Sequence, residues 1–210
     1  MIKAVIFDMD GVLIEAKDWH YEALNRALRL FGYEISRYDH LTTFDGLPTK
    51  KKLQMLSAVY DLPVALHDFI NELKQLYTME IIFAQCKPRF NHEYALSRLR
   101  AEGLRLAVCS NSVRDTIDVM MEKAALKDYL EFTVSNQDVT KPKPDPEMYA
   151  VAIQKMGLMP AECLVVEDHE NGIRAAKAAG AHILAVRETT DVTYGNIMKR
   201  IHEIAQGDLA

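Results

Sequence analysis

Three short apolar runs that do not alternate, Ala4–Phe7, Leu104–Cys109 (interrupted only by Arg105) and Leu164–Val166, constrain this chain more than any other feature of its sequence. Ala181–Val186, with His182 inside it, is similar, and Phe132–Val134, with Thr133 at its centre, is a fainter run of the same kind. A strand with one wet face alternates apolar and polar side chains; a strand buried on both faces has no need to. From about residue 88 onward, stretches with apolar residues at helical spacing lie between these runs: Phe90–Ala101, Val113–Lys123, Pro146–Met156 and the alanine-rich Asn171–Ala179, which stops at Gly180. Strand and helix in alternation predict an α/β fold, a doubly wound parallel sheet.

The segment from Lys17 to Ile82 breaks that alternation and reads as helices. Trp19, Ala23, Ala27 and Leu30 form one apolar stripe, Leu53, Leu56 and Val59 begin a second, and Phe69, Leu73 and Leu76 a third. The expected organisation is a core of residues 1–15 and 83–210 with a helical cap domain, residues 16–82, inserted just after the first strand. Open α/β sheets bind ligands beyond the carboxyl ends of their strands, so a cap rooted there is expected to act as a lid.

Those strand ends carry the chemistry. In chain order, the first run ends in Asp8-Met9-Asp10-Gly11, the second in Ser110-Asn111-Ser112, and the fourth in Glu167-Asp168. The third is followed by the loop Lys141-Pro142-Lys143-Pro144-Asp145-Pro146. Crowded carboxylates repel and call for a cation, and hard Mg²⁺ takes oxygen ligands. One aspartate can attack phosphorus and the other can protonate the leaving oxygen and then activate water. Ser110 and the N–H groups of the helix after it suit phosphate oxygens, and Lys141 suits the charge of a transferring group. Each signal alone has a plainer reading: turn chemistry for Asp8 and Asp10, helix capping for Ser110 and Ser112, a rigid loop around Lys141, a helix-start acid pair at 167–168. Their occurrence together at four strand ends favours phosphoryl transfer.

The balance of the chain is compatible with a small-molecule enzyme. The net charge of −5 argues against a nucleic-acid surface. No apolar stretch approaches the roughly 18 to 20 residues that span a bilayer, and the first run is broken by acids too early for a signal peptide. Cys86, Cys109 and Cys163 have no paired spacing, so reduced thiols in a cytoplasmic protein are expected, and a zinc site is not. A monomer or weak homodimer is the expected assembly.

The motifs FDMDG, VCSNS, the lysine of TKPKPDP and VVEDHENGIRAAKAAG resemble, over nearly the whole chain, the haloacid dehalogenase-like (HAD) superfamily, in the branch with a helical cap between the first and second motifs. The resemblance implies that Asp8 is the nucleophile and Asp10 the general acid/base. It implies that Ser110 and Lys141 bind the phosphoryl group, helped by Asn111. Mg²⁺ would be held by Asp8, the backbone carbonyl of Asp10 and Asp168, with Glu167 in or next to its shell. An acid at Asp10 favours phosphate esters over halides, because an alkoxide needs a proton to leave and a halide does not. The nearest subgroups are the β-phosphoglucomutase-like and phosphoglycolate-phosphatase-like enzymes.

Departures from the expected pattern weaken the mutase reading. Threonine, Thr49, stands where the mutase cap has an arginine, with Lys50, Lys51 and Lys52 beyond it; Ala16 replaces the hinge threonine, and His169 replaces the usual serine after the acidic pair. His20 matches a mutase histidine. The expected activity is therefore a Mg²⁺-dependent phosphatase for a small phosphorylated metabolite, plausibly a sugar phosphate. A phosphomutase is the alternative, and a phospho-accepting signalling domain the non-enzymatic one. His20, Lys50 and Lys52 are the candidate substrate contacts of the cap, and Arg114 a further candidate at the mouth of the site.

Overall fold

A computed structural model describes residues 1–207, in two compact units. One comprises Met1–Glu15 and Lys87–Ala210, the other Ala16–Cys86. The first unit opens with strand β1 (Ala4–Phe7). The chain then forms the helical unit: α1 (Lys17–Arg29), the single turn α2 (Arg37–Asp39), α3 (Thr49–Tyr60) and α4 (His67–Gln85). It returns to the first unit with α5 (Phe90–Ala101), β2 (Arg105–Cys109), α6 (Arg114–Lys123), β3 (Phe132–Val134) and α7 (Glu147–Lys155). It continues with β4 (Cys163–Glu167), α8 (Glu170–Ala178), β5 (His182–Ala185) and α9 (Tyr194–Ala205).

The five strands form one parallel sheet in the order β3-β2-β1-β4-β5. Phe7 pairs with Val108 on one side and Val166 on the other, so β1 is central and its residues are fully buried. Parallel pairing forces a crossover between successive strands, and helices fill that role. α7 and α8 cover the face bearing Ala4, Ile6, Ala107, Cys109, Cys163 and Val165. α5 and α9 pack together against β2 and β5. The chain winds outward from β1 to β3, then jumps back across β1 to β4, so the order reverses between β1 and β4. That reversal is where such sheets open a crevice for a ligand.

All three expected helical stripes in the second unit depart from the observed buried faces; in α3, Leu53 and Leu56 are buried but Val59 is exposed. In α1 the buried set is Ala23, Leu24, Ala27 and Leu28, while Leu30 is exposed. The ladder from Trp19 follows one edge of that face rather than its centre. In α4 the buried face is Ile70, Lys74, Thr78, Ile81 and Ile82, and Phe69 and Leu76 are exposed. Two polar members, Lys74 and Thr78, conceal this face from an apolar pattern. α4 also runs to Gln85, three residues past the expected boundary at 82, with the Cys86 N–H still bonded to the Ile82 carbonyl.

Among the described residues no helix is long and apolar enough to cross a membrane. Cys86, Cys109 and Cys163 are buried, and none of them forms a disulfide among the described residues.

The core of the helical unit is pinned by one polar side chain. Asn25, fully buried on α1, accepts from the Ile35 N–H at 2.8 Å and donates to the Ile35 carbonyl at 2.9 Å. The loop after α1 thereby satisfies its backbone without a strand or helix. Asn25→Ala strands both Ile35 groups in the interior, at roughly 1–3 kcal/mol each. It is expected to lower the unfolding free energy by about 2–4 kcal/mol in urea titration; an unchanged midpoint contradicts the clasp.

Candidate active site

The site begins where β1 stops. The Asp8 N–H continues the ladder to the Val166 carbonyl at 2.9 Å, so Asp8 keeps strand geometry. Alternation along the strand puts Ala4, Ile6 and Asp8 on one face, and Cys163, Val165 and Glu167 on the same face of β4. Both acids therefore emerge beside α7 and α8. Past Asp10 the chain turns sharply: Gly11 has φ of 94°, its N–H bonds the Ile14 carbonyl, and the Ile14 N–H bonds back to Met9.

A lysine fills the space between the two acids, and it is Lys143. Its ammonium, 4% exposed, donates to Asp8 Oδ1 at 2.6 Å, Glu167 Oε1 at 2.7 Å and the Cys109 carbonyl at 2.9 Å. Three donors meet three acceptors, one from each of the strand ends β1, β2 and β4. The Tyr149 hydroxyl donates to the same Glu167 oxygen at 2.7 Å, and the lysine lies 4.6 Å from the Tyr149 ring centre. The other Glu167 oxygen accepts from the backbone N–H groups of Asp168 and His169.

The electrostatics follow from burial and excess negative charge. Burial pushes the Asp8 carboxyl well above its usual range; Lys143 opposes this, and the neighbouring Glu167, Asp10 and Asp168 carboxylates reinforce it. Burial also pushes Glu167 up, but Lys143 and its other donors win, and its pKa is held below the ordinary value. Lys143 is raised, because Asp8 and Glu167 overcome its burial. Burial drives the Cys109 thiol up to about 12, so it stays neutral behind the site.

Carboxylate oxygens of Asp8, Glu167 and Asp168 lie within 4.8 Å of one another. Three acids and a single buried ammonium leave this corner with surplus negative charge. An all-oxygen set of that kind fits a hard divalent ion such as Mg²⁺.

Asp10 sits in different surroundings. It is part-exposed, and its Oδ2 accepts from the Ser112 hydroxyl at 3.1 Å and lies 3.5 Å from that of Ser110. The buried Ser110 hydroxyl accepts in turn from the Ser112 N–H. The second motif thus grips the first.

The expected site residues divide accordingly. Asp8, Asp10, Ser110, Glu167 and Asp168 gather at the strand ends. Asn111 lies beside them, but its amide accepts from the Lys143 N–H at 3.1 Å and faces the Lys143 carbonyl at 3.4 Å; it holds the lysine's backbone. Lys141 does not reach the site. Its side chain is 73% exposed, 4.0 Å from Asp145, and its backbone N–H is tied to Glu147. Two Lys-Pro pairs two residues apart look alike in sequence, and long-range contacts separate them: Asn111 holds the Lys143 backbone, and three strand ends take its ammonium. Arg114 is not free at the mouth either: it pairs with Asp138 and lies 3.4 Å from the Thr133 hydroxyl. His169 caps α8, its Nδ1 accepting from the Asn171 N–H at 3.2 Å.

In the helical unit, His20 Nδ1 lies 3.4 Å from Lys74 Nζ, Lys50 is exposed and Lys52 is buried in the first turn of α3. The sequence singles out neither Lys143 nor Tyr149, and it offers Ser112 only as a helix-capping residue. The signal for Tyr149 was its place on the apolar face of α7, which gave no hint of a hydroxyl reaching Glu167.

Residues 5–186 match the family described as haloacid dehalogenase-like hydrolase. Similar curated proteins include the phosphorylated carbohydrates phosphatase of Thermotoga maritima, 27% identical over 85% of this chain and 82% of that one. The protein CbbY of Rhodobacter capsulatus is 30% identical over 87% and 84%. Among solved structures, the β-phosphoglucomutase of Clostridium difficile superposes with a TM-score of 0.84 at 20% identity, over 98% of this chain and 99% of that one, a likeness of fold.

The two lysines are separable by experiment. Lys143→Met leaves two buried carboxylates uncompensated, at roughly 3–5 kcal/mol of stability, and abolishes turnover. Lys141→Met changes stability by about 0.5 kcal/mol or less and leaves kcat intact; equal effects in urea unfolding and steady-state assays contradict this.

Gly172 supplies a second check. A Cβ there would lie 1.7 Å from Glu167 Oε1. Gly→Ala ordinarily helps a helix interior by about 1 kcal/mol. Gly172→Ala is expected to destabilise instead, by roughly 1–3 kcal/mol, because the clamped carboxylate must move. A raised melting temperature contradicts that contact.

Proposed function

The chain belongs to the haloacid dehalogenase-like hydrolases, and from that premise we propose that it is a Mg²⁺-dependent phosphatase for a small phosphorylated metabolite, foremost a sugar phosphate. One observation carries the reading: two acids two residues apart lie in contrasting environments. Asp8 is buried against the Lys143 ammonium, and Asp10 is part-exposed beneath two serine hydroxyls. Different surroundings suit different roles for chemically similar groups.

In this reading the Asp8 carboxylate attacks phosphorus, the bond to the leaving alkoxide breaks, and the proton of Asp10 passes to that alkoxide. Asp10, now a carboxylate, takes a proton from the water that attacks the aspartyl-phosphate. Inorganic phosphate leaves and Asp8 is restored. Lys143 takes the part that the sequence suggested for Lys141: its charge beside Asp8 Oδ1 holds the nucleophile in one rotamer and offsets developing charge. Ser112 and Ser110 aim Asp10. The N–H groups at the start of α6 suit phosphate oxygens. Asp8, Asp168 and the backbone carbonyl of Asp10 would hold Mg²⁺, which when bound would neutralise the phosphoryl charge that repels an anionic nucleophile.

The substrate class draws support from the Thermotoga maritima relative, named a phosphorylated carbohydrates phosphatase. Selection among substrates falls to cations of the helical unit, with His20, Lys50 and Lys52 the candidates.

With Mg²⁺ and a panel of sugar phosphates, the protein is expected to release free phosphate. Asp10→Asn is expected to lower kcat by about 10²–10⁴, the usual worth of a positioned acid/base. Isomerised sugar phosphate without phosphate release contradicts the reading in favour of a phosphomutase, and a near-parental rate in Asp10→Asn removes Asp10 from its role.

A further inference from the structure

Glu167 is fully occupied by the protein itself. A carboxylate offers about four acceptor positions. Here Oε1 takes the Lys143 ammonium and the Tyr149 hydroxyl, both at 2.7 Å, and Oε2 takes the N–H of Asp168 at 3.1 Å and of His169 at 3.2 Å. Gly172 backs the carboxylate so closely that no other residue type fits there without moving it. Of the four donors, two are backbone groups and one is the ammonium already shared with Asp8. The Tyr149 hydroxyl is the remaining one, and its ring also faces that ammonium at 4.6 Å.

We propose that Tyr149 is a positioning residue for the cation site: its hydroxyl locks Glu167, so that Glu167 steers Asp168 and Lys143 from outside the ion's shell rather than ligating the ion. This rests on the reading of the acidic corner as a Mg²⁺ site. Asp168 is the ligand that gains most, since its N–H is anchored on the carboxylate that Tyr149 fixes. Without the hydroxyl, Oε1 keeps only Lys143, and Glu167 can turn toward the lysine and relax its hold on the Asp168 backbone. Partners in this position typically govern metal affinity by 10–100-fold. Tyr149 comes from α7, on the sheet face shared by Asp8 and Glu167, so helix packing and ion affinity are mechanically linked through one side chain.

The test is calorimetric titration of the substrate-free protein with Mg²⁺, comparing parent and Tyr149→Phe, which keeps the ring and its contact with Lys143. Binding is expected to weaken by about tenfold or more, the Mg²⁺ concentration for half-maximal turnover to rise in parallel, and substrate KM at saturating Mg²⁺ to stay within about twofold. Far-ultraviolet circular dichroism and the urea midpoint establish that the variant is folded. Unchanged or tighter Mg²⁺ binding by the folded variant overturns the proposal. Absence of binding by the parent overturns the Mg²⁺ reading itself, a separate result. Tyr149→Leu, which also removes the ring, is expected to bind no more tightly than Tyr149→Phe; tighter binding likewise overturns the proposal.

Discussion

The Lys143 ammonium is the interaction on which the site depends. It sits in the interior with three hydrogen bonds, to Asp8, Glu167 and the Cys109 carbonyl. Those acceptors belong to three adjacent strand ends, so one cation fastens the carboxyl edge of the sheet. A buried charge is costly unless paired. Here the cost is offset by two carboxylates and a carbonyl around the ammonium, and Glu167 is held further by Tyr149 and two backbone donors. The same arrangement leaves the corner too negative, since Asp168 adds its carboxylate within 4.8 Å. That excess makes an oxygen-seeking divalent ion a natural complement.

Topology decides that these groups meet. The strand order reverses between β1 and β4, and the two neighbours carry Asp8 and Glu167 on the same face. β2 lies on the other side of β1 and delivers Ser110 and Ser112 to Asp10. Each motif is therefore local in sequence, while the contacts that join one motif to another are long-range. The turn after Asp10, opened by the left-handed Gly11, leads to Glu15 and the helical unit that begins at Ala16.

The three central strands were legible because burial on both faces leaves a nearly continuous apolar run; the edge strands β3 and β5 are only partly buried, and they too fall on runs that the sequence displayed. The acids were legible for the same reason: a carboxylate directly after such a run stands out. The register of the helical unit was not. Lys74 and Thr78 occupy the buried face of α4, and an apolar ladder cannot detect polar residues that are buried. Lys143 was missed because Lys141-Pro142 and Lys143-Pro144 are local duplicates, and a contact 32 residues away, with Asn111, distinguishes them. Tyr149 looked like ordinary core because most of it is; only its hydroxyl belongs to the site.

Asp8 as the atom-bearing nucleophile is the centre of this account, and mass spectrometry tests it most directly. The protein is mixed with Mg²⁺ and a turned-over sugar phosphate, quenched in acid during the steady state, digested and mapped. A phosphoryl group on the peptide containing Asp8, absent from Asp8→Asn, is the predicted result. A phosphoryl group on any other residue, or turnover surviving in Asp8→Asn, contradicts it.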